Sequence, residues 1–277
     1  MKIGVLISMG VHTDILSEMR KIKNMDLDTC QLCITDTAVY TEENAQKVLA
    51  ACEETGVAVS TVWAGWSGPA QWDLVNGPLT LGLVPAAYRH GRSCEILAAV
   101  PFAHRIGVRQ IATHVGFLPE IPHDPDYVGT ICILRHICAR MKEKDITFLF
   151  ETGQETPVTL LRAIEDIGMD NVGINFDTAN LVLYGKGNPV DAVRVFGKYV
   201  KDLHIKDGLY PTDGRHLGKE VPAGEGIADF PMIVKMLTDL GYNGSYTIER
   251  EIHGDRQTQD IIRARDMLLD IERSLHE

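Results

Sequence analysis

The chain has 277 residues, of which 45% are hydrophobic and 23% charged, with a formal net charge of -11. That length suits one closed α/β barrel with a large core, and the acid surplus argues against nucleic acid as a partner because phosphate backbones are repelled. No run approaches the ~18 continuous apolar residues of a membrane span, and six cysteines in so long a chain suggest no disulfide framework, so a reducing, cytoplasmic setting is expected.

Eight short, nearly continuous apolar runs read as buried parallel strands, at 2–8, 28–34, 57–63, 108–114, 146–151, 172–177, 200–205 and 245–249. The first is too short for a signal-peptide core. The second contains Cys30 and Cys33, which strand geometry turns to opposite faces as separate thiols. Between the runs, helix starts are marked by Thr41 before Glu42 and Glu43, by Thr156-Pro157, by Asn188-Pro189 and by Asp229, with Gly241 as a stop. Strand–helix alternation of this spacing predicts right-handed crossovers and a single (β/α)₈ barrel over 1–277, with an open doubly wound sheet as the alternative. Two long connections, from Ala64 to about Ala86 and from Asp207 to Gly226, follow strands and are expected over the C-terminal mouth.

The last five strands end in side chains that carry chemistry: His114, Glu151, Asp177, His204 and Glu249. A carboxylate closing an apolar strand is costly to bury alone. Each acid taken singly also reads as an N-cap for the following helix, and His204 as a hydrogen-bonded core residue. Three carboxylates converging on one mouth would repel and some would protonate unless a cation joined them. Glu151, Asp177, His204 and Glu249 therefore read as ligands of one divalent metal ion; oxygen-rich ligands with one imidazole suit Mn²⁺, Mg²⁺ or Co²⁺, whereas structural Zn²⁺ prefers thiolates.

At these residues the sequence resembles the xylose isomerase-like barrel superfamily of sugar phosphate isomerases and epimerases, and within it the ketose 3-epimerases. The motifs are Phe-Glu151-Thr-Gly, Asn-Phe-Asp177-Thr-Ala-Asn, His204-Ile-Lys-Asp and Thr-Ile-Glu249-Arg-Glu, with Pro222–Gly226, Asp229-Phe230, Gly241–Gly244 and the Thr80–Pro85 segment before Arg89 and Arg92. The resemblance implies a metal-dependent enzyme in which Glu151 and Glu249 remove and return a proton beside a ketose carbonyl, with Mn²⁺ as the expected ion and Mg²⁺, Co²⁺ or Zn²⁺ as alternatives. It also implies a small sugar or sugar derivative as partner and a homo-dimer or homo-tetramer. Asn180 stands where the epimerases often carry a histidine, Arg215 is the nearest candidate for their arginine after strand seven, and Glu155 for their second acid after strand five.

His114, Trp66, Asn180, Lys206, Arg215 and Glu155 are thus the candidate substrate contacts. For Trp66 the competing reading is packing within a lid, and for Arg215 a solvated charge run. A lyase or dehydratase acting on a keto-sugar or oxidised glycoside begins with the same proton abstraction and is the alternative activity. An endonuclease IV-like nuclease shares the barrel but asks for three zinc ions and further histidines, and a non-catalytic ligand-binding barrel would not need the four metal ligands.

Overall fold

The structure, a computed structural model, describes residues 1–275. Eight parallel strands close into one barrel: β1 Lys2–Ser8, β2 Thr29–Ile34, β3 Ala58–Ala64, β4 Gln110–Thr113, β5 Thr147–Glu151, β6 Val172–Asp177, β7 Val200–Ile205 and β8 Ser245–Ile248. Each strand pairs with its neighbour in sequence, and β8 closes on β1 through Lys2 opposite Ser245 to Val5 opposite Ile248. The open-sheet alternative is therefore excluded, because β1 and β8 leave no free edge.

The helices start where short polar side chains cap them. Thr41 accepts the Asn44 amide at 3.1 Å, Asn188 the Val190 amide at 2.9 Å and Asp229 the Met232 amide at 3.0 Å, each satisfying an amide that has no partner within its helix. Their apolar faces cover the outside of the barrel, where Ile34, Val62, Ile111, Phe148, Ile174 and Leu203 are fully buried. Cys30 belongs to this outer core, while Cys33 packs inside the barrel against Trp63, Ala112 and Leu149. The two thiols do occupy opposite faces, and both are free.

The barrel interior is polar below the mouth. Thr61, Asp202 and Thr247 lie one pleat beneath Trp63, His204 and Glu249, and Asp202 accepts from Thr61 at 2.7 Å and Thr247 at 3.1 Å. Burial drives the Asp202 carboxyl above its ordinary range, against these hydroxyl donors.

Two connections dominate the mouth. The one after β3 holds the four-residue helix Gly77–Thr80 and meets the loop after β4 backbone to backbone. Gly82, at φ 69°, donates no side chain there; a Cβ would stand 2.0 Å from the Val115 carbonyl oxygen. The connection after β7 forms an antiparallel hairpin, Asp207–Leu209 with Lys219–Val221, which the hydrophobic pattern does not announce because its strands are only three residues each. Asp207 anchors its return: its carboxylate accepts the amides of Gly208, Gly224, Gly226 and Ala228 at 2.8–3.0 Å. Gly226 is required at that approach, since a Cβ would lie 2.1 Å from Asp207 Oδ1.

Candidate metal centre

Four strand ends meet at the top of the barrel. Glu151 closes β5, Asp177 closes β6, His204 lies on β7 and Glu249 immediately follows β8. One ligand atom from each falls within 4.8 Å of all the others. Asp177 and His204 are fully buried and Glu151 is 3% exposed.

Each ligand is oriented by a neighbour. Asp177 Oδ1 accepts the Asn180 amide at 2.7 Å and so caps the helix Thr178–Leu183, which leaves Oδ2 free to face the cluster. The capping and ligand readings of this acid are thus not exclusive: one oxygen serves each. His204 Nε2 lies 2.9 Å from Gln31 Oε1, so a neutral ring carrying its proton there presents the Nδ1 lone pair. Gln31 in turn donates to Asn175 Oδ1 at 3.0 Å, and Asn175 donates to Glu151 Oε2 at 3.2 Å. Trp63 Nε1 donates to the same Glu151 oxygen. The Thr152 hydroxyl bridges the Asp177 amide and carbonyl at 2.8 Å, tying β5 to β6.

Asp177 Oδ2, Glu249 Oε2 and His204 Nδ1 are buried and face only one another, with His204 Nδ1 2.8 Å from Glu249 Oε2 and 3.6 Å from Asp177 Oδ2. Buried polar atoms with no other partner are expensive, and these three point into one space. In the cation-free chain, burial pulls the His204 imidazole down, but Glu151 and Glu249 outweigh it and hold the ring well above its ordinary range. An imidazolium is a poor substitute for a metal: the one proton it turns toward the cluster, on Nδ1, cannot reach all three carboxylates at once. One nitrogen and three carboxylates, all with free lone pairs, fit a divalent cation better.

Lys206 is the fixed cation beside this cluster. Its ammonium is 2.9 Å from Glu251, 3.4 Å from Glu249 and 3.6 Å from Asp177, and it is buried. Burial alone would favour its neutral form, yet Glu249, Asp177 and Glu251 raise its pKa well above the ordinary value.

A cavity of about 720 Å³ opens above the ligands. His114 lines it, with Nε2 3.4 Å from Glu151 Oε1, and Asn180 forms part of its wall. Four of the residues expected at the substrate do not line it, and one of them is Lys206, which is buried behind the wall against Glu249, Asp177 and Glu251. Trp66 is turned into the lid, where its ring packs 4.0 Å from the Arg92 guanidinium; Trp72, stacked against it at 6.1 Å, reaches the cavity instead. Arg215 lies on the exposed tip of the β7 hairpin, where its amide is held by Asp213, because the loop is long enough to extend past the mouth. Glu155 is buried beneath the loop after β5, 3% exposed, with Oε1 unpartnered.

Glu155 gives the site region a measurable titration. Burial pushes its carboxyl from 4.5 up to about 8, against the backbone amides around it. The folded chain then binds more protons than the unfolded chain between these values, so stability falls as pH rises through that window. Glu155→Gln is expected to leave stability at pH 5 nearly unchanged and to add roughly 3–5 kcal/mol at pH 9, read as the pH dependence of urea unfolding. A variant with the same pH slope as the parent would show that Glu155 is not the group responsible.

Gln31, Asn175, Trp63 and Tyr184 also belong to the site or its support and were not singled out from the sequence. Gln31 and Asn175 had one available signal: a polar amide set within an otherwise apolar strand.

A family model described as xylose isomerase-like TIM barrel matches residues 19–271. The chain belongs to this family. A xylose isomerase domain protein from Planctomyces limnophilus is 32% identical, with a TM-score of 0.91 over 99% of this chain and 98% of that one. Lower identities show the barrel alone: a D-tagatose 3-epimerase-like protein at 20%, TM-score 0.74, covering 100% and 98% of the two chains, and the probable 3-DHS dehydratase AsbF of Bacillus anthracis at 16%, TM-score 0.70, covering 97% and 99%. The match to the Escherichia coli (strain K12) protein YihM, 25% identical over 173 residues, takes in 56% of this chain and only half of that protein's length. Among the described residues, one cluster of metal-ligating side chains is found, where the nuclease alternative asks for three zinc ions. No helix among them is long and apolar enough to cross a membrane.

Proposed function

We propose that this chain is a divalent-metal-dependent isomerase or epimerase that moves a proton on the carbon beside a ketose carbonyl. The observation that carries this reading is the convergence of Glu151, Asp177, His204 and Glu249 within 4.8 Å at the floor of an open cavity. The name of the D-tagatose 3-epimerase-like neighbour supports the same class of reaction. Mn²⁺ is the expected ion.

When bound, the cation supplies Lewis acidity where negative charge develops on the substrate carbonyl oxygen. The chain supplies the rest. Glu151 and Glu249 reach the cavity from different strands and act as base and acid on the reacting carbon. Trp63 and Asn175 hold one Glu151 oxygen, which leaves the other toward His114 and the substrate. Lys206 holds Glu249 and Asp177 in place from behind the wall.

The test is incubation of the Mn²⁺-loaded protein with candidate ketoses in deuterated water, followed by NMR. Carbon-bound deuterium with the skeleton intact is the expected result. Loss of a hydroxyl or other substituent would assign the lyase or dehydratase alternative, and no exchange with any ketose at saturating metal would sink both. Chelation is expected to abolish exchange and re-addition to restore it. Ligand binding at 100–1,000 times Kd contributes about 2.7–4.1 kcal/mol of stability, so the stripped protein should melt roughly 5–15 °C lower; an unchanged Tm would count against a resident cation.

A further inference from the structure

The residue that bears most on which ion the cluster can hold is not one of its ligands. Lys206 follows β7 and sets its ammonium against the back of the site, 2% exposed. Four oxygens surround that ammonium: Glu251 Oε1 at 2.9 Å, Glu249 Oε1 at 3.4 Å, Asn180 Oδ1 at 3.5 Å and Asp177 Oδ2 at 3.6 Å. Only the first lies at ordinary hydrogen-bond length. Toward the two ligand carboxylates Lys206 therefore acts as a point charge more than as a donor.

The ligands have other anchors for their placement. Asp177 is fixed by the Asn180 amide on Oδ1 and by the Thr152 hydroxyl on its backbone, and the Glu249 amide is tied to the Ile205 carbonyl at 3.2 Å. What nothing else near the cluster replaces is the charge. Coulombic interaction in buried surroundings is several-fold stronger than in water and is little screened by salt. Asp177 Oδ2 is an oxygen left to face the cluster, so the ammonium and an ion held there draw on the same carboxylate. Three ligand carboxylates and one ammonium leave two negative charges. Glu251 adds little to that sum, because its side chain is 60% exposed and its charge is shared with water and with Lys206.

Resting on the metal-ion reading above, we infer that Lys206 is a specificity-determining residue of the cation site: it sets the cluster at two negative charges, which a divalent ion neutralises and a trivalent ion overfills. Lys206 repels every cation that enters, and the repulsion grows in proportion to the charge of the ion. The logarithm of its effect on affinity is therefore one and a half times as large for a trivalent ion as for a divalent one. A residue that merely held the ligands in place would not produce that ratio.

The test uses the full chain stripped by a chelator. It is titrated with Mn²⁺ by calorimetry, and with Tb³⁺ by the emission sensitised through the indole of Trp63, which donates to Glu151 and so reports on this site. Lys206→Met is expected to bind Mn²⁺ at least ten-fold more tightly than the parent, and Tb³⁺ at least about thirty-fold, the same factor raised to the power of three halves. Glu251→Gln, at an exposed position that tolerates the change, is expected to weaken both ions, since it removes a negative charge and frees Lys206 from its shortest contact. Circular dichroism verifies that both variants fold. Lys206→Met that binds Mn²⁺ no more tightly than the parent would overturn the inference, and so would equal gains for the two ions, which mark a rearranged ligand set. Tighter Mn²⁺ binding by Glu251→Gln would overturn it as well. A parent chain that binds neither ion would remove the metal reading itself, whereas a parent that binds Mn²⁺ beside an unimproved Lys206→Met variant removes only the role of Lys206.

Discussion

Glu151→Gln and Glu249→Gln are each expected to lower solvent-deuterium exchange into substrate by at least ~10³-fold, close to 4 kcal/mol of transition-state stabilisation. Glutamine keeps the shape and the carbonyl oxygen but cannot accept and return a proton. The two variants differ in what else they disturb. At 151 the amide faces the Trp63 and Asn175 donors, and an NH₂ turned toward either would clash with a donor. At 249 the loss removes one of three carboxylates around Lys206. Metal binding should weaken in both, since a neutral amide replaces an anionic ligand, so exchange has to be measured at metal concentrations that saturate the variant. Exchange within ten-fold of the parent in either saturated variant would remove that glutamate from the proton-transfer pair.

The second large effect is expected at Arg92, far from the proton chemistry. Its side chain is 2% exposed and is held by carbonyl oxygens alone: Ser67 at 3.1 Å, Thr80 and Gly82 at 2.7 Å, and Pro69 at 2.8 Å. The guanidinium lies between the rings of Trp66 and Tyr88, at 4.0 and 4.6 Å. It gathers the whole connection after β3, and with it the position of Trp72. Arg92→Met fills the volume but leaves those carbonyls without a donor, and is expected to cost roughly 3–5 kcal/mol. Arg92→Lys should recover little, because one ammonium cannot span acceptors placed on several sides. Urea unfolding and proteolytic nicking within 65–85 would read both; a methionine variant within 1 kcal/mol of the parent and uncut there would show the lid to be held by something else.

Much of this was visible in the chain itself. The eight apolar runs fall on the eight strands to within one or two residues, because the strand faces turned to the helices are apolar throughout and the inward face breaks that pattern only at a few residues such as Gln31, Thr61 and Asp202. Caps such as Thr41 and Asn188 are local chemistry and therefore readable locally. The convergence of Glu151, Asp177, His204 and Glu249 was also accessible, since strand ends in a closed barrel face one mouth. Trp66 and Glu155 were less so. Whether Trp66 or Trp72 joins Trp63 at the cavity depends on the fold of a loop, and that fold is set by Arg92, whose partners lie 10 to 25 residues away. Glu155 is displaced from the mouth because the turn after β5 carries it inward, which its spacing from Glu151 does not reveal.

Asp177 answers to two demands at once. One oxygen accepts the Asn180 amide and closes a helix, and the other is left to face the candidate metal cluster. Glutamate is a methylene too long for the first task, asparagine brings no charge to the second, and serine reaches only the first. If the cluster holds a cation as proposed, a barrel of this kind that had given up its metal would be free to place serine, threonine or asparagine at 177 and keep the helix, whereas one that uses a metal would need aspartate there.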